Sequence, residues 1–577
     1  MIRRSALAFA AACALAGPAA ASDYYGTLEP FAAESIYFVL TDRFVNGDPG
    51  NDQRGQGGAH PTFDLPLAPC DGEVGNVGYL GGDFRGLLDN AGYIADLGFT
   101  AVWLTPIVDN PDQAFTGGDE ITCDGFLTDR GKTGFHGYWG VNFYRLDEHL
   151  PSPGLDFAGL TAGLRGHGLK TVLDVVGNHG SPAWTMPVAQ PQFGQMFDAS
   201  GTLVADHQNL PPEKLDPARN PLHRFYNTKP DLAQLSDLAA DNPAVTDYLV
   251  GAYLHWIGQG VDALRIDTIR HQPLPFWKTF SDRIRARHPG MYMFGEAFDT
   301  EAANIAPFTL PENGGISVLD FPMKDAMVAV FGREQAGYER LAASLYLEDA
   351  PYANVYDLAT FYDNHDMRRL DAGDAGFIDA HNWLFTVRGI PVVYYGSETG
   401  FMRGQAEHGG NRAYFGQERI DAAPSSAIHR ELKRIATLRR ESPALQRGLQ
   451  LNLELSGDQA AFYRVYEHDG VAQTALVLLN KGDAPARMAV SGFLQPGRWR
   501  DGFSGTTLKV RGSLRAEVPA HGVRVFFFDS PLTRTDLRER LAGMMRDSWP
   551  ESDRRDEAAQ ALAAPATGSA HTLFGSP

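Results

Sequence analysis

The chain has 577 residues, of which 44% are hydrophobic and 21% charged, and 70 acidic against 50 basic side chains give a formal net charge of -20. This length predicts about two to four domains with a sizeable core, and the charged fraction is too low for a disordered chain. The acidic balance excludes nucleic acid and an anionic membrane surface as partners, because a phosphate binder needs a basic surface.

The first 21 residues have the pattern of a secretory signal peptide. Arg3 and Arg4 form a positive start, an apolar run follows from Ala6 to Ala16, and three alanines at 19–21 offer a cleavage site. We therefore expect export to the periplasm or the medium, with a cytosolic alanine-rich N-terminus as the alternative. No other apolar stretch reaches the ~20 residues that a membrane helix needs, so we expect no membrane partner.

Two cysteines, Cys70 and Cys123, remain after the signal peptide. Both lie in segments rich in glycine and aspartate, and an oxidising compartment permits a disulfide. We expect a bridge between Cys70 and Cys123, with two free thiols as the alternative.

Residues 35–445 alternate between short apolar runs and amphipathic segments. Eight strands in this alternation favour a closed (β/α)8 TIM barrel, with an open doubly wound sheet as the alternative. The predicted strands are Ser35–Phe44, Phe99–Pro106, Leu169–His179, Asp262–Asp267, Met291–Ala297, Gly315–Pro322, Val355–Asp366 and Ile390–Glu398. Predicted helices include Phe84–Leu97, Phe157–Gly168, Pro243–Gly258, Phe276–His288 and Asp374–Arg388.

One connection is too long for a simple loop. About 60 residues rich in Pro, Gln, Asn and Asp separate the third strand from the helix at Pro243, which predicts an inserted subdomain. A helix over Ser426–Gln446 then leads into alternating segments typical of an antiparallel β-sandwich. The expected organisation is signal peptide 1–21, barrel 22–179 and 237–446, inserted subdomain 180–236, β-sandwich 447–529, and a tail 530–577 containing a short helix at Leu537–Met545.

Acidic side chains end several of the predicted barrel strands, at the face where TIM barrels carry their chemistry. Asp267 ends the fourth strand, Glu296 the fifth and Asp366 the seventh. Hydrolysis of an acetal needs one carboxyl group as acid and a second, ionised one as nucleophile or base. Arg265, two residues before Asp267, points to the same face and favours the ionised form. Glu296 follows an apolar run, and burial would raise its pKa as a general acid requires.

At this point the sequence resembles the α-amylase family of glycoside hydrolases (family 13) over roughly residues 35–530. The four main motifs of that family are matched by Asp174–His179, Gly260–His271, Phe294–Ala297 and Phe361–Asp366. Accessory motifs are matched by Gly98–Pro106, Leu235–Leu238 and Gly389–Glu398. The motifs occur in the order and at the spacing of the family.

The resemblance implies a role for each matching residue. Asp267 would be the nucleophile, Glu296 the acid/base, and Asp366 the carboxylate that holds the sugar hydroxyls. Tyr138, in Phe135-His136-Gly137-Tyr138-Trp139, would stack on the sugar at the cleavage subsite, while Trp139 is expected in the core. The other residues implied to bind substrate or support the site are His136, Asp174, His179, Arg265, Arg270, His271 and His365.

Calcium is the expected cofactor, as one or two structural ions. The loop Asp42–Asp52 is rich in the hard oxygen ligands that Ca²⁺ prefers, and it resembles the N-terminal calcium loop of cyclodextrin glucanotransferases and related amylases. An Asx-rich turn without a metal is the alternative. The implied ligands of this site are Asn46, Asp48, Asn51, Asp52, Gly81 and Asp83, and those of a second site are Asn178, Asp237 and the carbonyl of His271.

Departures from the family pattern bear on the reaction. Members that make cyclic products carry an aromatic residue where this chain has Ala233, and they carry extra C-terminal domains. We expect a monomeric, endo-acting α-1,4-glucan hydrolase that acts on starch-like glucans and maltooligosaccharides with retention. The alternatives are a transglycosylase, a maltooligosaccharide-forming exo-enzyme, and a catalytically inactive glucan-binding protein on the same fold.

Overall fold

Eight short parallel strands form the centre of the protein. The computed structural model describes residues 23–53, 65–66, 74–75, 77–123, 125 and 128–545. The strands are β1 (Ile36–Val39), β2 (Ala101–Leu104), β3 (Lys170–Val176), β4 (Ala263–Asp267), β5 (Tyr292–Gly295), β6 (Ser317–Val318), β7 (Ala359–Thr360) and β8 (Ile390–Tyr394). Each pairs with its chain neighbour, β8 also pairs with β1, and a bridge between Leu319 and Ala359 completes the ring. The predicted TIM barrel is confirmed.

The barrel strands are continuous apolar runs because both of their faces are covered. Every residue of β1 and β2 is buried, and Phe38 stacks on Trp103 with ring centroids 3.8 Å apart. All eight strands occur where the sequence predicts them, but they are shorter. In the predicted strand Val355–Asp366, only Ala359 and Thr360 pair as strand, and the residues that follow turn into the barrel mouth.

Helices surround the barrel, and two predicted helices are each divided into a pair. The first divides at Asn90, whose side-chain amide donates to the carbonyl of Gly86. The second divides before Pro443, whose ring cannot continue a helix, and Ser442 caps the new one. The helices are α1 (Phe84–Asp89), α2 (Ala91–Asp96), α3 (Phe157–Gly166), α4 (Pro243–Ile257), α5 (Leu274–Arg285), α6 (Ala302–Ile305), α7 (Phe321–Phe331), α8 (Glu339–Ala342), α9 (Asp374–Leu384), α10 (Gln417–Ala422), α11 (Ala427–Arg440), α12 (Pro443–Arg447) and α13 (Thr535–Met544).

Long connections stand over the C-terminal ends of the strands. The predicted insertion after β3 contains two small antiparallel pairs, His179–Pro182 with Leu235–Asp237 and Gln195–Phe197 with Leu203–Asp206. The connection after β2 is also long, which the sequence analysis did not predict, and it pairs Val108–Asp109 with Asn142–Leu146. The two excursions share a small apolar cluster, formed by Phe115, Trp139, Met186, Phe193 and Leu235.

A predominantly antiparallel β-sheet domain follows the barrel. Its strands are β9 (Leu449–Ser456), β10 (Gln459–His468), β11 (Val471–Asn480), β12 (Ala486–Val490), β13 (Gly497–Asp501), β14 (Thr507–Val510), β15 (Leu514–Val518) and β16 (Gly522–Phe528). Six of them form one sheet in the order β9-β10-β11-β16-β13-β14, and β12 pairs with β15. The buried guanidinium of Arg464 joins this domain to the barrel by donating to the carbonyls of Thr386 and Val387 at 2.8 and 2.6 Å.

Two predictions concern the ends of the chain, which the structure does not describe. The proposed signal peptide 1–21 and the tail after residue 545 lie outside the described residues. Within the described part, no helix is both long and apolar enough to cross a membrane.

Candidate active site

A buried arginine organises the carboxylates at the barrel mouth. Arg265 on β4 lies opposite Asp174 on β3 because the two parallel strands are in register. Its Nη1 donates to Asp174 Oδ1 at 2.8 Å and to Asp267 Oδ1 at 3.0 Å, and its Nη2 lies 2.7 Å from Oε2 of Glu296 at the end of β5. Three acidic side chains from three neighbouring strands therefore surround one cation.

Burial and neighbouring charges shift the pKa values of Glu296 and Arg265. Burial raises the pKa of Glu296 to about 8, and the charges of Asp366 and Asp267 add to this shift while Arg265 opposes it. Burial would lower the pKa of Arg265, but Asp174 and Glu296 outweigh that effect and raise it. The site thus places a charged arginine beside a carboxyl group whose pKa is raised by burial, a combination that suits a general acid.

Asp366, the third predicted carboxylate, is held from the other side of the cleft. Its Oδ1 accepts a hydrogen bond from Nη2 of Arg412 at 2.6 Å, and its Oδ2 lies 3.1 Å from Nε2 of His365. Asn364 fixes the backbone of this turn, since its Oδ1 accepts from the Asp366 N–H at 2.9 Å. Asp366 keeps 23% of its side chain exposed, so it can still reach a ligand in the cleft.

Tyr138 and the histidines form the walls around the carboxylates. The Tyr138 ring stacks on His365 with centroids 5.2 Å apart and planes 14° apart, and its hydroxyl donates to Asp174 at 2.8 Å. His179 Nε2 lies 4.0 Å from Asp267 Oδ2. Burial lowers the pKa of His179 to about 4 and that of His136 well below its ordinary value. These neutral rings can hydrogen-bond sugar hydroxyls without adding charge.

A cleft of about 370 Å³ connects these groups. The predicted residues that line it are His136, Tyr138, His179, Asp267, Arg270, His271, Glu296, His365 and Asp366. Asp174 and Arg265 lie beneath its floor. Trp139, expected in the core, packs in the small apolar cluster and also lines the cleft.

The structure adds lining residues that the sequence analysis did not identify. Lys132 and Asp129 come from the connection after β2, and Glu407 and Arg412 come from the connection after β8. Phe298, which follows Glu296 closely in sequence, is 50% exposed. Charges in separate loops form no motif, and only their contacts in the folded chain identify them as a group.

The residues of the first expected calcium site bring several side-chain oxygens together in one loop. The side-chain oxygens of Asn46 and Asn51 are buried without a hydrogen-bond partner, and Asn46 Nδ2 donates to Asp52 Oδ1 at 2.7 Å. A methyl group at Gly81 would lie 2.4 Å from Asn46 Nδ2, so this backbone approaches the loop closely, with a φ of +90°. Asp83 accepts from the N–H groups of Gly47 and Asp48. These residues fit a hard cation.

The second expected site lies where the inserted segment meets the barrel. Asn178 Oδ1 is buried without a partner, and Asn178 Nδ2 lies 3.4 Å from Asp237 Oδ1. The other oxygen of Asp237 accepts from the N–H groups of Asp231 and Leu232. An unsatisfied amide oxygen beside a buried carboxylate also fits Ca²⁺. His271, the third expected contributor, places its ring Nδ1 2.9 Å from Asp231 Oδ2.

Of the two cysteines in the predicted disulfide, the structure describes only Cys123. Cys123 is disulfide-bonded. Cys70 lies outside the described residues.

Comparisons with known proteins agree with the fold. The sequence profile of the α-amylase catalytic domain matches residues 38–436. A cyclomaltodextrin glucanotransferase from Niallia circulans is 30% identical over 499 residues, which are 82% of this chain and 63% of that protein. The same enzyme from Thermoanaerobacterium thermosulfurigenes is 28% identical over 470 residues, covering 78% of this chain and 60% of the relative. The chain therefore spans about three fifths of these relatives.

Two solved structures are similar over almost their whole length. A cyclomaltodextrin glucanotransferase with a three-domain ABC distribution, CldA, has 30% identity and a TM-score of 0.69, covering 86% of this chain and 99% of its own. An α-amylase from Anoxybacillus has 25% identity and a TM-score of 0.65, covering 87% and 99%. Because the first is a glucanotransferase with three domains, the number of C-terminal domains does not separate hydrolysis from cyclisation.

Proposed function

The chain belongs to the α-amylase catalytic-domain family of glycoside hydrolases, and from this premise we propose that it is an exported, calcium-dependent enzyme that hydrolyses α-1,4-glucosidic bonds in starch-like glucans and maltooligosaccharides. The observation that carries the proposal is the contact of Arg265 with both Asp267 and Glu296 in a cleft. Arg265 holds both carboxyl groups at the cleft, and burial raises the pKa of Glu296, which suits it to donate a proton. This is the pair that acetal cleavage requires.

In the first step, Glu296 donates its proton to the glycosidic oxygen as the bond to the anomeric carbon breaks. Asp267 attacks that carbon and forms a glycosyl ester, and the leaving chain departs with the proton of Glu296 as a new hydroxyl group. Arg265 holds Asp267 in position for the attack through the hydrogen bond from its Nη1 to Asp267 Oδ1. In the second step, Glu296 removes a proton from water, the water oxygen attacks the anomeric carbon, and Asp267 leaves. Two inversions give net retention.

The remaining side chains hold the sugar between these two groups. Tyr138 offers a flat ring to the apolar face of the sugar, and its hydroxyl is fixed on Asp174. Asp366 and His365 supply hydrogen-bond partners at the cleft surface. Their positions are set by Arg412 and by the ring stack with Tyr138, so the sugar meets a prearranged surface.

The small side chain of Ala233 in the cleft lining favours hydrolysis over transfer. Ala233 lines the cleft where cyclising members of the family are expected to carry an aromatic residue, so a returning sugar chain finds less surface to stack on. Transglycosylation is the second candidate, because several relatives and one three-domain neighbour are cyclomaltodextrin glucanotransferases.

The donor side of the cleft is the side that holds the non-reducing part of the glucan. The length of glucan that this side accepts decides whether the enzyme cuts inside a chain or near its end. The endo-action expected from the sequence requires that side to be open.

Calcium and export complete the proposal. The unpartnered oxygens of Asn46, Asn51 and Asn178 would each gain a cation ligand bond. One bound ion would link the loop after β1 to Gly81, just before α1, and a second would link the inserted segment to β3. Both would stabilise the walls of the cleft. The charge and apolar pattern of residues 1–21 supports export.

The test is the release of reducing ends from soluble starch by the mature protein, with Asp267→Asn as the inactive variant. Asp262→Asn is the matched control, because Asp262 lies just before β4 and bonds the Thr171 N–H at the opposite end of the barrel. Release by the wild type and the control alone supports hydrolysis. Redistribution of maltoheptaose without net release supports transfer. No change in either substrate overturns enzymatic function and leaves glucan binding.

A further inference from the structure

Four charged side chains join two loops at one end of the cleft. We refer to Asp129, Lys132, Glu407 and Arg412 as the loop bridge. Lys132 Nζ lies 2.8 Å from Asp129 Oδ1 and 3.1 Å from Glu407 Oε1. The same Glu407 oxygen lies 3.1 Å from Nη1 of Arg412, whose Nη2 bonds Asp366. A continuous chain of ion pairs therefore runs from the connection after β2 to the substrate-facing carboxylate.

The loop bridge is buried rather than a loose surface contact. The side chains of Lys132, Glu407 and Arg412 are 6, 10 and 9% exposed. Burial would raise the pKa of Glu407, but Arg412 and Lys132 outweigh it and hold the pKa well below its ordinary value. Removing such charges from water is costly unless all of them are paired. A second contact joins the same loops, since His408 Nδ1 donates to the carbonyl of Thr122 at 3.1 Å.

A different group of residues lines the cleft beside Glu296. Arg270 and His271 belong to this group, and by family resemblance they contact the sugar that leaves. Phe298 lies beside them with half of its surface exposed, and Arg270 donates to its carbonyl at 2.8 Å. The acceptor side of the cleft therefore presents an exposed aromatic ring to the leaving chain. The loop bridge instead meets the site at Asp366, through Arg412, and we place it on the donor side, which holds the non-reducing part of the glucan.

We propose that the loop bridge closes the donor side of the cleft and restricts it to a few glucosyl units, so that the enzyme cuts near non-reducing ends. Lys132 and Glu407 are specificity-determining residues in this proposal, and Arg412 couples them to Asp366. The inference rests on the proposed cleavage of α-1,4-glucans and assigns it a position in the chain. It replaces the internal cutting expected from the sequence. All four residues of the loop bridge line the cleft itself, so the bridge stands where a glucan chain would have to pass.

The test compares two 4-nitrophenyl maltoheptaosides, one with a free non-reducing end and one with that end blocked by an ethylidene group. A closed donor side cannot accept the blocked end, whereas an internal cut is indifferent to it. We expect the wild type to cleave the blocked substrate at less than about one tenth of the rate of the free one. In Lys132→Ala, which removes the link between the loops, we expect the ratio of blocked to free rates to rise at least about fivefold.

Three further variants make the result specific. Lys132→Arg keeps a cation at the bridge and should keep the wild-type ratio. Lys481→Ala is the matched control, because Lys481 is 8% exposed and paired with Asp458 in the C-terminal domain. General destabilisation lowers both rates and leaves their ratio unchanged. Lys132→Met preserves the packing of the stem and replaces the alanine variant if that one does not fold.

Each outcome supports or overturns the proposal. Equal wild-type rates on the two substrates would overturn the donor-side closure while leaving the cleavage function intact. An unchanged ratio in folded, active Lys132→Ala and Lys132→Met would overturn the assignment to the loop bridge. No cleavage of either substrate by the wild type would instead overturn the proposed function on which the inference rests.

Discussion

Replacing Glu296 by glutamine should lower the rate of glucan cleavage without unfolding the protein. The amide has nearly the same shape and cannot donate a proton, and Arg265 remains compensated by Asp174 and Asp267. General acid–base groups typically contribute about 10² to 10⁴ in rate. We therefore expect Glu296→Gln to lower reducing-end release from starch by at least about two orders of magnitude. The folded structure should be retained.

The raised pKa of Glu296 also predicts how stability changes with pH. Burial raises this pKa from its ordinary value of 4.5 to about 8, so the folded state binds the proton more tightly than the unfolded state. The stabilising contribution is complete below pH 4.5 and is lost as pH rises through 8. At 1.36 kcal/mol per pKa unit, a span from pH 5 to pH 8 corresponds to about 4 kcal/mol. Glutamine does not titrate, so the variant should not lose this contribution. Its free energy of unfolding should therefore rise relative to that of the wild type between pH 5 and pH 8.

Urea unfolding of both proteins at pH 5 and pH 8 measures the difference. Asp357→Asn is the control, because burial raises the pKa of Asp357 to about 7 and its carboxylate, bonded to Thr27 Oγ1 at 2.6 Å, precedes β7 at the opposite end of the barrel. That variant should show the same direction of stability change with unaltered starch hydrolysis. Near-normal turnover of Glu296→Gln would refute its role as the acid. A pH-independent stability difference would refute the raised pKa.

Three further outcomes are expected. Tyr138→Phe removes the hydroxyl bonded to Asp174 but keeps the ring, so kcat/KM for maltoheptaose should fall about tenfold, and less than in Tyr138→Ala; equal losses would contradict the stacking role. Chelation of calcium should lower the melting temperature and re-addition should restore it, because the oxygens of Asn46 and Asn51 have no other partner; an unchanged temperature would argue against the ion. Gly81→Ala forces a methyl group to 2.4 Å from Asn46 Nδ2 at a φ of +90°, so calorimetric calcium affinity should fall; unaltered affinity would place the ion elsewhere.

Local rules account for much of the agreement between sequence and structure. Arg265 and Asp267 point to one face because the side-chain period of a strand is two, and this contact follows from their spacing alone. The eight apolar strands were recognisable because both of their faces are buried. The divided helices carried local signals as well. Pro443 and Asn90 mark the breaks, and the apolar periodicity that continues across them obscured these signals.

The barrel, the order of its strands and the acidic residues at their ends could be predicted from the sequence, because they depend on periodicity and on short spacings along the chain. The sequence did not determine what the connecting loops do to the cleft. Lys132 and Glu407 are 275 positions apart and meet at 3.1 Å only because the connections after β2 and β8 lie side by side above a closed ring. Loop contacts of this kind depend on packing between distant segments, so they can be identified only in the folded chain.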